Sequence, residues 1–266
     1  MRIGRNGGWF PWLLSVAMAM APAKAATETV IHTFGSFPIG ANPYGNLAED
    51  PAGNLYGTAY QGGTVSLGTV FKLGKPGYKL LHSFTGGTDG ATPYAGVALD
   101  SAGNLYGTTF GGGASGKGVV YKVSASGQET VLYAFTGGAD GGSPYAGVVL
   151  DAAGNLYGTA YYGGTANAGV VYKVSPAGQE TVLYSFTGGT DGANPYDGVT
   201  FDSSGNLYGT TYAGGATSVG VVYMLTASGQ EIVLHNFEPF FGEGPTDGAL
   251  NAKTPDGSVR GGPLEK

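Results

Sequence analysis

The chain has no cysteine among its 266 residues, which excludes disulfides, thiolate metal sites and a thiol nucleophile. Histidine is nearly as scarce, with three, and no Gly-x-Ser-x-Gly elbow occurs, so the usual arrangements of nucleophile and base have no footing. Basic residues are outnumbered, 12 Lys+Arg against 18 Asp+Glu, and an acidic surface argues against nucleic acid or anionic lipid as a partner. No apolar run approaches the roughly 20 residues that a membrane-spanning helix needs. The longest candidate, Trp9 to Ala21, has 13 residues and contains Pro11. Beyond residue 25 no segment holds a helical period.

The first 25 residues read as a secretory signal peptide: Arg2 and Arg5, then the apolar run, then the small-residue site Ala23-Lys24-Ala25. Arg2 and Arg5 are not adjacent, so twin-arginine export is not indicated. Cleavage after Ala25 leaves nine Lys+Arg against 18 Asp+Glu, a net charge of −9, and nothing that inserts in a membrane. The expected location is outside the cell, at its surface or in a periplasm. Without disulfides, stability there rests on the core.

What the chain does have is glycine, 52 residues of it, at fixed places between β-branched and aromatic runs. Gly-Asn-Leu-Tyr-Gly-Thr begins at Gly53, Gly103, Gly154 and Gly205, a period of 50 or 51 residues that marks a stacked-repeat architecture. The third unit predicts four short strands: Gly147–Asp151, Asn155–Tyr161, Gly169–Val174 and Glu180–Phe186. Apolar groups on both faces, as in Val170-Val171-Tyr172, fit sheets covered on both sides. The expected fold is therefore all-β, a β-propeller of four to five four-stranded blades over residues 26–237. Residues 238–266 read as a degraded or truncated fifth repeat or a disordered tail.

In an up-and-down blade, alternate connections fall on opposite faces. The short links (Asp151 to Asn155, Ser175 to Gln179) share one face, and the long glycine-rich ones (Tyr162 to Ala168, Thr187 to Pro195) gather on the other, where function is expected. Closure poses a count. The fourth-strand pattern occurs five times, from Val30–Phe34 to Val233–Phe237, against four for the others. Either Val30–Phe34 completes the last blade of a four-bladed ring and the C-terminal copy is extra, or Asp247–Leu250 and Gly257–Arg260 form a degraded fifth blade that Val30–Phe34 completes.

Leu105 to Lys122, with its counterparts from Leu55, Leu156 and Leu207, resembles the tandem repeat called GloVer, found in exported bacterial choice-of-anchor proteins. The likeness covers about Thr27 to Phe237 and recurs at a dozen positions. It implies an exported or surface-displayed protein and brings no activity with it. Residues 262–266 lack a hydrophobic sorting tail. The Pro-Tyr-x-Gly-Val-x-x-Asp-x-x-Gly-Asn-Leu-Tyr stretch is similar to NHL and gluconolactonase-like blades, which bears on fold alone.

Internal copies test each candidate residue, since a catalytic group should be singular and a structural one should recur. His32, His82 and His235 share a register with Tyr133 and Tyr184, a slot for a ring with a polar edge rather than for a base. Asp50, Asp100, Asp151 and Asp202 precede the Gly-Asn turn and are expected to fix it through backbone N–H groups. Tyr60, Phe110, Tyr161, Tyr162 and Tyr212 lead into one set of long loops, and Asp89, Asp140 and Asp191 sit in the other, with Asp197 nonrepeated. These rings and acids are the candidate ligand contacts: rings stack on sugar faces and carboxylates accept hydroxyl bonds. Packing between blades is the plainer reading of the rings, and turn formation that of the acids.

The function expected is a secreted, non-enzymatic binding module for an extracellular glycan or protein. The alternative is a propeller enzyme of the lactonase or lyase type with a metal in its central channel. No catalytic residue and no cofactor is expected, calcium on the recurring carboxylates being the one exception considered.

Overall fold

The computed structural model describes residues 28–35 and 39–239. Residues 28–33 fall in a separate N-terminal unit and carry no strand. The rest holds four sheets of four antiparallel strands, each sheet built from consecutive strands in sequence order, so the described residues form four blades of a β-propeller. The signal-peptide segment and the tail from 240 onward lie outside the described residues.

Blade 1 comprises β1 (Ala48–Glu49), β2 (Leu55–Ala59), β3 (Thr69–Gly74) and β4 (Gly77–Ser83); blade 2 comprises β5 (Ala98–Leu99), β6 (Leu105–Thr109), β7 (Val119–Val123) and β8 (Glu129–Ala134). Blade 3 runs through β9 (Val149–Leu150), β10 (Leu156–Ala160), β11 (Val170–Val174) and β12 (Glu180–Ser185). Blade 4 follows with β13 (Thr200–Phe201), β14 (Leu207–Thr210), β15 (Val221–Leu225) and β16 (Glu231–Asn236). Each first strand is two residues long, shorter than its sequence predicts. The leading residues of these strands crowd those of the next blade: a Cβ on Gly147 would lie 3.2 Å from the carbonyl of Gly96, and one on Gly198 3.4 Å from that of Gly147.

Every letter of Gly-Asn-Leu-Tyr-Gly-Thr has a structural task. In blade 3, Asp151 closes the first hairpin by accepting from the N–H groups of Ala153 (2.9 Å) and Asn155 (2.8 Å). The Asn155 amide and the Tyr157 hydroxyl donate to its other oxygen, at 2.7 and 3.1 Å. Gly154 sits at φ +80°, a backbone conformation that L side chains avoid. Leu156 is fully buried. Gly158 leaves room for the ring of Tyr172, whose hydroxyl would lie 2.5 Å from an added Cβ. Thr159 donates to the backbone carbonyl of Asp197 in the next repeat, at 2.9 Å. The same carboxylate network recurs at Asp50, Asp100 and Asp202, as expected for Asp before a tight turn.

Blades are held face to face by their third strands. Val70 and Phe84 of blade 1 pack with Leu105, Val119 and Tyr121 of blade 2, and equivalent clusters join blades 2 and 3 and blades 3 and 4. Phe84, Phe135 and Phe186, which follow the fourth strands, are fully buried. Each meets the next blade's third-strand tyrosine edge-on, with centroids 5.1, 5.0 and 5.1 Å apart. Burying a phenylalanine contributes about 1.5–3 kcal/mol, and an edge-to-face pair about 0.5–1.5 kcal/mol more. The outermost strands, such as Val182-Leu183-Tyr184, are only half-buried.

The closure question is answered at blade 4. β15 takes β16 as its neighbour, Tyr223 opposite Val233 and Leu225 opposite Glu231, so Val30–Phe34 does not complete that blade. The reason is local: the turn from Thr226 to Gln230 is fastened by its own backbone bonds at 2.9 and 2.8 Å. A hairpin partner five residues away closes with far less entropy loss than one from the other end of the chain. Ahead of the first blade, Phe34 packs edge-on against Phe71 at 5.0 Å, as the phenylalanines after the fourth strands do against the next blade's third-strand tyrosine.

Candidate functional site

The long connections do gather on one face, and they are bonded to each other. The loop after each second strand forms a bridge with the chain entering the same blade: Ala91 with Gly111, Gly142 with Tyr162, Ala193 with Ala213. The entering segment also ties back to the previous blade, Ser143 N–H to Lys117 carbonyl at 2.7 Å and Asn194 N–H to Ala168 carbonyl at 2.6 Å. Such cross-bracing holds a glycine-rich face in place without helix or disulfide.

On this face the rings form a continuous arc. Tyr44, Tyr94, Tyr145 and Tyr196, one from each Pro-Tyr dipeptide, follow one another at centroid spacings of 6.2, 5.4 and 4.6 Å. The sequence candidates stand beside them: Tyr60 stacks on Tyr94 at 5.2 Å, Phe110 lies 4.7 Å from Tyr145, and Tyr161 meets Tyr145 at 5.3 Å and Tyr162 at 4.7 Å. Tyr60, Phe110 and Tyr161 are half-buried, so the packing reading describes them well. Tyr44 (71 % exposed), Tyr212 (69 %), Tyr196 (48 %) and Tyr162 (44 %) present their rings to solvent. Burial first, then the neighbouring phenols, raises the hydroxyl pKa values of Tyr145 and Tyr161, so both stay neutral donors at ordinary pH.

The Pro-Tyr rings were not among the sequence candidates, although Pro43-Tyr44, Pro93-Tyr94, Pro144-Tyr145 and Pro195-Tyr196 recur at the repeat period. Periodicity was their signal, and it reads equally well as scaffold. What it could not reveal is that four residues about 50 apart converge on one axis.

The aspartates separate into two groups. Asp140 accepts from Thr136 N–H (2.7 Å), Thr136 hydroxyl (2.5 Å) and Tyr133 hydroxyl (2.9 Å); Asp191 repeats this with Thr187 and Tyr184. At Asp89 the ring is His82, with Nε2 3.3 Å from the carboxylate. His82 and the tyrosines thus fill one slot, and burial, opposed by Asp89, depresses the imidazole pKa. These three acids fasten their own loops and have few lone pairs left for a ligand. Asp197 differs: it is exposed, and one carboxylate oxygen accepts only from the adjacent Gly198 N–H, at 2.8 Å.

Asp197 lines a cavity of about 770 Å³ together with Tyr44, Leu47, Tyr145, Tyr196, Thr210 and Val222. Among the described residues no group of three or more His, Asp or Glu converges as a metal site, and no helix is long and apolar enough to cross a membrane.

Fold and face together define a tandem-repeat β-propeller whose long-loop side carries an arc of tyrosines beside a cavity. The chain belongs to the Gloeobacter/Verrucomicrobia repeat family, whose profile matches residues 16–149 and 75–261. Comparison with curated proteins gave no match. Among solved structures, a protein described as a gluconolactonase aligns over 70 % of this chain and 61 % of its own, at 16 % identity and a TM-score of 0.45. Porphyromonas gingivalis dipeptidyl peptidase 4 aligns over 64 % and 23 %, at 14 % identity and a TM-score of 0.40. A protein described as a 6-phosphogluconolactonase from Bacteroides fragilis aligns over 57 % and 43 %, at 18 % identity and a TM-score of 0.34. The chain therefore spans less than two thirds of each of these proteins.

Proposed function

We propose that this protein is an exported, non-enzymatic binding module that takes an extracellular glycan on its long-loop face. The observation that carries this reading is the ring arc: Tyr44, Tyr162, Tyr196 and Tyr212 exposed on one face, with the Asp197 carboxylate beside Tyr196. Tyrosine offers a sugar both an apolar ring for its C–H face and a hydroxyl for its polar rim. The signal-like start of the sequence and the acidic surface agree with a neutral extracellular ligand rather than nucleic acid or lipid. Of the sequence candidates, Asp89, Asp140 and Asp191 drop to a supporting role because their oxygens are engaged within their loops.

A metal-dependent lactonase or lyase draws less support, since the blade-equivalent carboxylates are committed to turns. Its distinguishing result is stoichiometric metal in the purified protein together with turnover of a lactone. The binding reading is tested on a glycan array with the full chain, then with Tyr162→Ala and Tyr196→Ala. Retained folding with binding reduced about tenfold per ring, equivalent to about 1.4 kcal/mol, is the expected outcome. Binding that survives the loss of both rings would exclude this face.

A further inference from the structure

Blade 4 turns one face toward no described neighbour. Thr210 is exposed and Val222 half-buried, whereas their equivalents Thr58, Thr108, Thr159, Val70, Val120 and Val171 are all buried. In the three closed interfaces the following repeat covers that face by one set of contacts. The strand-two threonine donates to the carbonyl two residues after the proline: Thr58 to Ala95 and Thr108 to Ala146 at 2.7 Å, Thr159 to Asp197 at 2.9 Å. The residue before the proline donates its N–H to the preceding blade, as Thr92 does to the Leu67 carbonyl at 2.7 Å. The proline ring lies against a glycine, Pro144 on Gly118 and Pro195 on Gly169. In blade 4 the matching groups, the Thr210 hydroxyl, the Val219 carbonyl and Gly220, have no such covering segment among the described residues.

The sequence supplies one. Gly244-Pro245-Thr246-Asp247-Gly248 repeats Asn194-Pro195-Tyr196-Asp197-Gly198, and Ala249-Leu250 stand where Val199-Thr200 do. The residue before the proline has a positive φ in every blade (Asn42 56°, Thr92 55°, Ser143 53°, Asn194 56°), a conformation that glycine at 244 adopts without strain. Seven residues separate Phe237 from Pro245, against eight between Phe186 and Pro195. The longer connection contains a tight turn, closed by a Gly188 N–H to Gly192 carbonyl bond of 3.2 Å, so it holds slack to lose. The family's repeat profile also runs on to residue 261.

We propose that residues 244–250 dock on the open face of blade 4 as the first strand of a fifth repeat. The Thr210 hydroxyl then donates to the Asp247 carbonyl, the Gly244 N–H to the Val219 carbonyl, and Pro245 covers Gly220.

Two measurements on the full chain decide this. Because the chain lacks cysteine, Thr210→Cys with Asp247→Cys forms a clean pair. An intrachain disulfide in dilute, mildly oxidised protein is expected, and failure to cross-link would overturn the docking. Carbene footprinting of the unmodified protein, with mass by light scattering, avoids any folding defect of that variant. Val222 labelled no more than Val171 in a monomer supports the tail as occupant. Labelling several-fold above Val171 would refute it, as would a protected Val222 in a dimer or an interchain disulfide, both of which assign the face to a second copy.

Discussion

Thr159 and Thr210 hold the same place in two blades, in the same six-residue string, yet one is fully buried and hydrogen-bonded across an interface and the other is left exposed by the described residues. Phe186 and Phe237 make the same contrast, the first sealed against Tyr223 and the second 42 % exposed. Identical local sequence therefore gives an identical hairpin and strand but not an identical energy. A repeat contributes its full stabilisation only where a neighbour covers it, as expected when stability is a sum of unit and interface terms.

The sharpest way to break this comparison is to truncate both kinds of phenylalanine. Phe135→Ala should cost about 3–5 kcal/mol, because it empties a closed interface. Phe237→Ala should cost under about 1 kcal/mol. Urea unfolding of the two variants measures both, and equal losses would show that the end of blade 4 is covered as fully as the interior.

A smaller effect sharpens the same point. Thr159→Val leaves the Asp197 carbonyl unpaired and should cost about 1–2 kcal/mol. With the tail docked, Thr210→Val is expected to cost about as much as Thr159→Val, read from the midpoint of denaturation, and no loss would show the face open.

The pH profile compares two kinds of carboxyl group. Glu180 starts an outer strand with Oε1 buried and unpartnered, and burial, then the charge of Asp140, raises it to about 7. Between its ordinary value near 4.5 and 7 the folded chain holds a proton that the unfolded chain has released, so stability falls as pH rises through that window. Glu180→Gln should lessen this decline, leaving the part due to Glu129, which burial also raises to about 7, and to Glu231, which burial raises as well. Asp50 behaves oppositely. Hydrogen bonds from Asn54 hold it at about 2 against 3.8, so its contribution is present above pH 4 and is lost as pH falls toward 2. Thermal unfolding across pH 2–9 should thus show highest stability between the two windows, and Asp50→Asn should lessen the acid limb only slightly.

Much of this was legible in the chain because repetition acts as an internal alignment. The four copies fixed the strands, turn acids and period, and the shared register of His82, Tyr133 and Tyr184 marked a ring that meets a carboxylate, as all three do. The candidate site was half legible. Tyr60, Phe110, Tyr161, Tyr162 and Tyr212 stood out in the sequence because each leads into a long glycine-rich loop. Tyr44, Tyr94, Tyr145 and Tyr196 were passed over because constancy reads as scaffold until a common axis brings the copies into one arc. The bonding of the loop aspartates within their own loops was not legible, since a sequence does not show which of a carboxylate's lone pairs are already taken.

Sequence alone determined what short-range physics can determine: hairpins closed by Asp and Asn, glycines where the backbone turns left or a ring must pass, and strands apolar on both faces. Tertiary structure decided which of those faces is covered, which tyrosines reach solvent and which phenylalanine is left over. Burial and convergence depend on neighbours about 50 residues away, and the same six letters carry no record of whether that neighbour is present.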